Sequence, residues 1–516
     1  MCIAADHRKR RQAWIQRARQ AAGVLLLATA TDVSGHQLDA HAPADLTTRP
    51  AVLTQGVGRE YILVDAPSVP AAALDLYAQG LAQLHGYRWI EAARAFHTAL
   101  RIAPDFLLPQ LGLVRAYEGM KDQEKADEHL QQALALSAQA NARDAGLAEA
   151  MRWRRQAHRP GRGGQQAHRA YRAALDRLLE KHPKDVEILL LRGNASEAVA
   201  WGKGMAGGEE SLVFYEAAIE LAPQHPGARH YLAHSYENLE RYFEAASQAA
   251  RFARLAPRVP HARHMYAHTL PRIGKWATAV EELEAADGLE REYFREEGIP
   301  ARADWHRVHN LSLLGLAYLR TGRPAAAERV LQEAFETPVP DPQTVSWHTI
   351  WPEFLLIADR NAEAAAAARR LIASDHSISQ IVGTALLGES FLSAGDPEAA
   401  TRELAEARRK LAQYLSTEAR THPMGMPLGW VAEEYLQILV DRLYLHQADA
   451  NAPMADIEER TQRNAARPGL DGWGAGWLRI LRLEKQARLA NRIALADRLA
   501  TLGGGAPVPL VSDAPR

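Results

Sequence analysis

Apolar residues recur with a helical period over most of the chain, and the runs they form are short and paired. Leu74 to His85 and Trp89 to Ile102 make the first pair, with Gly80 in one run, Ala92, Phe96 and Ala99 in the other, and Pro104 closing the unit. The next unit falls in register through Leu113, Tyr117, Ala126, Leu130 and Ala133. Leu232, Ala233, Tyr236, Ala245, Ala249 and Pro257 repeat the arrangement, followed by Tyr266, Ala267, Ala279, Leu283 and Ala286. Leu314, Gly315, Tyr318, Ala327, Leu331 and Ala334 give it again, and Leu387, Gly388, Phe391, Ala400, Leu404 and Ala407 once more. Small residues and aromatics recur at equivalent places in these units, so the pattern predicts an all-α chain.

This recurrence resembles the tetratricopeptide-repeat family, over about residues 71–415 and with interruptions. The resemblance implies a tetratricopeptide-type α-solenoid, a superhelix of antiparallel helix pairs whose first helices line a concave groove. Most proteins of this kind are binding modules, but a fold does not fix a function.

The departures from the pattern predict the organisation. Residues 1–35 carry the basic run His7 to Arg11 and then the apolar stretch Ala21 to Ala30, which is the layout of a secretory signal; RRQAWI resembles a twin-arginine signal. The competing reading is a basic amphipathic helix that stays on the protein. Export would place the protein in the periplasm or outside the cell, and otherwise it is cytoplasmic. Residues 36–70 read as a linker and 71–151 as N-terminal repeats. The arginine- and glycine-rich stretch Arg152 to Arg172 reads as a mobile connector, placed at 152–170. Residues 171–415 form the main array, 416–502 the capping helices, and 503–516 a frayed tail. Gly202 to Gly208 is a flexible insertion without P-loop spacing, and Gly288 to Asp304 is a candidate lid.

Between Pro226 and Arg323 stand seven histidines: His230, His234, His261, His264, His268, His306 and His309. His230 and His264 are 34 positions apart, as are His234 and His268, and 34 is the length of a tetratricopeptide repeat. H-x-x-x-H pairs in successive repeats resemble a bacterial subset of that family, from which no activity is carried over. On the first of these helices Ala228, Leu232, Tyr236 and Leu239 make a packing stripe, while His230, His234, Glu237 and Asn238 make another. The histidines therefore belong to the polar stripe, which the resemblance places in the concave groove.

Neutral imidazole suits Zn, Cu and Fe, and a histidine pair one turn apart supplies two ligands from one helix. His230, His234, His264 and His268, with His261 and His309 beside them, are the candidate metal ligands. Glu197, Glu237, Asn238, His306, Arg272 and Asn310 are candidate ligand-binding or supporting residues. Ser312 stands where the third helix lacks a further histidine, which leaves the number of ions open. His85, His97, His129, His158, His168 and His182 read as surface or cap residues, and His348 as core or groove wall.

Composition narrows this further. A net charge of -1 over 516 residues gives no general attraction to nucleic acid or anionic membrane. The single cysteine, Cys2, excludes an internal disulfide and any cysteine-rich metal module. Neither GxSxG nor HExxH occurs, and no stretch is long enough to span a membrane. Two functions remain. In one, the histidine-lined groove binds a transition metal and a small or peptide ligand, and an open coordination position would make it a metal-dependent enzyme. In the other, the array is a non-catalytic scaffold that holds a peptide or protein without metal. No catalytic residue is assigned.

Overall fold

A computed structural model describes residues 44–64, 66–158, 164–196, 207–338, 345–420, 425–447, 454–466 and 475–502. The signal segment, the start of the linker, most of the Gly202 to Gly208 insertion, Glu197 and the tail lie outside the described residues. Among the described residues every regular element is helical.

The helices pack as antiparallel pairs along the chain. They are α1 (Ala71–His85) with α2 (Trp89–Ile102), α3 (Leu107–Gly119) with α4 (Gln123–Ser137), and α5 (Ala142–His158) with α6 (Gly164–Lys181). Next come α7 (Val186–Asn194) with α8 (Glu209–Leu221), α9 (Pro226–Asn238) with α10 (Tyr242–Leu255), and α11 (Pro260–Thr269) with α12 (Trp276–Glu297). Then follow α13 (Trp305–Arg320) with α14 (Pro324–Glu336), α15 (Ile350–Ile357) with α16 (Asn361–Ile372), and α17 (Ser377–Ser393) with α18 (Pro397–Ser416). Helix α19 (Gly425–His446) packs on both members of the last pair, and α20 (Met454–Ala466), α21 (Ala475–Leu489) and α22 (Ile493–Leu502) complete the end. This is the all-α solenoid that the repeats predict.

One turn builds most of the pairs. Tyr87, Lys121, Glu240, Gly274, Gly322, Asp359 and Gly395 all have positive φ, each two residues before a second helix. The next amide returns to a carbonyl of the first helix, as in Arg88 N to Gln83 O, Arg241 N to Tyr236 O and Arg360 N to Leu355 O. That bond satisfies a helix-end carbonyl and reverses the chain in two residues. Within a pair the small residues let the two helices approach closely. A Cβ on Gly80 would stand 2.3 Å from the Phe96 ring, so only glycine lets α1 meet α2 at this depth.

Two stretches differ from expectation. Arg152 to Arg172 is helical at both ends, through His158 in α5 and from Gly164 in α6. Two of its arginines are neutralised rather than solvated: Arg154 and Arg155 pair with Glu118, and Arg155 also with Asp127. Gly288 to Asp304 is not a loop over the histidines. Helix α12 continues through it to Glu297, and Tyr293 and Ile299 pack with Leu46 and Ile90 of the N-terminal region.

That contact belongs to a larger closure. One continuous apolar core joins Tyr77, Leu81 and Phe96 of the first pair to Phe252 of α10, Met265 of α11 and Val259 between them. Arg94 Nη1 reaches Glu297 at 2.6 Å, and Gly56 O accepts from Arg258 N at 2.9 Å. The described part of the linker thus packs on the array, and the first helix pair folds back against α9–α12.

A buried histidine cluster as candidate metal centre

The closure decides the fate of the histidines. The sequence pattern places them on an open groove, but His230, His261 and His264 are at most 5% exposed, and His234 and His306 are buried as well. The first pair covers them. Gly227 makes this approach possible, since a Cβ there would lie 2.5 Å from the His85 ring. Tyr87 then packs against His230 and His261 with ring centroids 4.7 and 4.9 Å away, and Phe252 stacks on His230 at 4.9 Å.

Helices α9, α11 and α13, the first members of three successive pairs, bring all seven imidazoles together. Ring centroids are 4.8 Å apart for His230 with His234 and for His230 with His261. The chain of contacts continues through His261 with His306 at 5.0 Å, His264 with His309 at 4.6 Å and His264 with His268 at 5.8 Å. The 34-residue spacing suggests that His230 faces His264. Neighbouring helices are offset, and His230 instead meets His261.

The ring nitrogens are oriented from outside the cluster. His230 Nδ1 lies 2.7 Å from the His85 carbonyl oxygen, an acceptor only, so this nitrogen carries the proton and Nε2 presents a lone pair. His306 Nδ1 is held by Glu290, which is itself fully buried and bonded to Arg307 at 3.1 Å. His264 Nδ1 donates to Asn310 Oδ1 at 3.0 Å, and His268 Nδ1 stands 2.7 Å from Glu237. Outward Nδ1 anchoring by carbonyl or carboxylate is the usual arrangement for metal-ligating histidines. Asn238 does not join the cluster, donating instead to Gly207 O at 2.9 Å, and Arg272 lies over Tyr242 beside Glu237.

His230, His234 and His261 offer three nitrogens that all lie within 4.8 Å of one another. His230 Nε2 and His261 Nε2 are 3.0 Å apart, near the roughly 3.3 Å expected of two nitrogens bound tetrahedrally to one zinc or copper ion. In the metal-free protein His261 Nε2–H donates to the His230 lone pair. Both ring nitrogens of His234 are buried and lack any hydrogen-bond partner among the described residues. Burial pushes the His234 imidazole down to about 4 against the opposing Glu237 charge, and burial reinforced by the neighbouring histidines holds those of His230, His261, His264 and His309 well below the ordinary value. These rings are therefore neutral at pH 7, which is the form that ligates.

A second group, His85, Glu187 and His225, has comparable spacing but different chemistry. His225 Nδ1 accepts from Ala228 N at 3.2 Å, so its proton sits on Nε2, which donates to Glu187 at 3.1 Å. His85 uses Nε2 for Glu187 at 3.1 Å and Nδ1 for the Tyr231 hydroxyl at 2.9 Å. Every ring nitrogen is committed, and the group is a hydrogen-bonded support under α9 rather than a metal site. His85, expected at the surface, is fully buried. The sequence pattern also passes over Glu290, which lies in the expected lid, and Trp347, which stacks on His309 at 4.3 Å.

No family model and no curated protein matches the chain. Among solved structures, the thermophilic TPR protein TTC0263 from Thermus thermophilus is 17% identical, with a TM-score of 0.29 over 40% of this chain and 98% of that one. The Cut9–Hcn1 hetero-tetramer of the APC/C is 13% identical, with a TM-score of 0.35 over 87% and 79%. The human IFIT1 dimer with PPP-AAAA is 12% identical, with a TM-score of 0.42 over 90% and 94%. Nothing about activity or partner is taken from these similarities. By its own repeats and their packing, the chain is an all-α solenoid of paired helices.

Proposed function

We propose that this helical-repeat protein binds a transition metal ion, zinc, copper or iron, at His230, His234 and His261. The observation that carries the proposal is His234, whose two ring nitrogens are buried without a hydrogen-bond partner among the described residues, beside an Nε2 lone pair on His230. An unsatisfied buried polar group costs about 1–3 kcal/mol, and an ion removes that cost. Three protein ligands leave a coordination position open, and a bound ion with an open position acts as a Lewis acid or activates water. Because the cluster is enclosed by Tyr87 and Phe252, a ligand reaching the ion is a small molecule rather than a peptide.

The test is the metal content of protein purified without an affinity tag and reconstituted with zinc, copper and iron in turn. Near-stoichiometric metal that is lost in the His234→Gln variant supports the proposal, and a content near zero overturns it. The repeat architecture itself supports the second reading, a scaffold for a protein or peptide partner. Partner capture that survives both chelation and His234→Gln would favour that reading. No described helix is long and apolar enough to cross a membrane. An exported location depends on the signal segment, which cleavage mapping of the protein's N-terminus would test.

A further inference from the structure

The cluster is larger than one ion requires, and its remaining rings repeat the centroid spacing of the first site, although of the two trios only the first brings three ring nitrogens within 4.8 Å of one another. Centroid separations for His230, His234 and His261 are 4.8, 4.8 and 6.4 Å. For His264, His306 and His309 they are 4.4, 4.6 and 6.3 Å. Each trio takes two rings from one first helix and one ring from α11, which lies between them. His261 and His264 are one turn apart on α11 with rings 5.7 Å apart, so the trios share an edge.

The second trio has the same outside anchoring. Asn310 and Glu290 hold His264 and His306 through Nδ1, which leaves Nε2 as the ligand atom of each ring. Asn310 is fixed in the acceptor orientation because its own amide nitrogen donates to Leu283 O at 3.4 Å. Trp347, at 4.3 Å, fixes the ring plane of His309. Glu290, buried to 0% exposure, has Arg307 as its counter-charge and offers His306 an acceptor of the kind that a metal-bound histidine uses.

We infer that the protein holds two neighbouring transition ions, the second at His264, His306 and His309. This rests on the metal-binding reading of the first site. With three nitrogens each, neither ion is coordinatively saturated, and the ligand class that fits between them is a small bridging anion such as hydroxide or azide.

The experiment counts ions per chain in untagged protein loaded with copper(II) or zinc and desalted, by elemental mass spectrometry, for wild type and for His234→Gln, His306→Gln and His309→Gln. Two ions in wild type and one in each variant are expected. In the copper(II) form, magnetic coupling should reduce the electron paramagnetic resonance intensity per copper in wild type, and each variant should restore a full single-copper signal. One ion in wild type that is insensitive to His306→Gln and His309→Gln overturns the second site and leaves the first standing. No ion at all overturns both, and loss of both ions on any one substitution overturns the division into two trios. Because the wild-type stoichiometry is decisive alone, a variant that fails to fold does not shield the inference. Circular dichroism melts identify any such variant.

Discussion

Replacing His234 with methionine separates what its imidazole costs the metal-free protein from what it contributes to the metal-bound one. Both ring nitrogens are buried without a partner among the described residues, so the metal-free state carries an unsatisfied polar group of about 1–3 kcal/mol. Methionine is close in volume and apolar, and its thioether fills an irregular gap with little strain. The metal-free His234→Met protein should therefore be more stable than wild type by about 1–3 kcal/mol, which is roughly 2–4 °C per kcal/mol for a cooperative unit of 150–250 residues. Metal reverses the order. At a free ion concentration of about 100 times Kd, binding adds roughly 2.7 kcal/mol to wild type and little to the variant. Thermal melts of both proteins in chelator and in excess zinc read the two effects at once. A variant less stable than wild type in chelator would refute the reasoning, because His234 would then be bonded in the metal-free state, for instance to a trapped water. An equal metal-induced rise in both proteins would show that His234 is not a ligand.

Arg307 contacts Asp287, Glu290 and Glu333 from an almost fully buried position, so Arg307→Met should leave Glu290 uncompensated and cost about 3–5 kcal/mol in a urea titration. Burial and mutual charge push His97 down to about 4, and burial with the Lys125 charge does the same for His129, in the α2–α4 region away from the metal site. The native state there binds fewer protons than the unfolded chain, whose histidines titrate near 6.5. Stability is thus full above about pH 6.5 and falls towards pH 4 by roughly 3 kcal/mol at most per histidine, and His97→Gln should shallow the decline measured in denaturant midpoints. Glu240 is exposed with φ 62 at a pair turn, so Glu240→Gly should relieve left-handed strain and leave the protein level or up to about 1 kcal/mol more stable in the same titration.

The repeats are legible in the sequence because what defines them is local. Gly80 against Phe96, or the left-handed residue at 87, 121, 240 and 274, depends on neighbours within one helix pair. The histidine pairs are legible for the same reason, since a 34-residue period needs no tertiary information. Their surroundings are not. His230 is anchored by the carbonyl of His85, 145 positions earlier, and nothing in the α9 pattern records that a distant helix end arrives there. The stripe argument fails at this point for a physical reason: it equates polar with exposed. A neutral imidazole with one nitrogen bonded and the other available to an ion or a second ring has little need of water, so a histidine face is compatible with burial once another surface closes over it. The closing surface had a signal of its own in Gly86, Tyr87 and Gly227. Those glycines stand outside the small-residue positions of the pairs, so close packing within a pair does not account for them, and they permit instead the contact between α1 and the ends of α9 and α11. The arginine-rich stretch misleads in the same way. Its charge reads as solvation until Glu118 and Asp127, more than 25 positions away, are placed beside Arg155. Where function resides in contacts between distant repeats, the residues to weigh are those that the repeat pattern leaves unexplained.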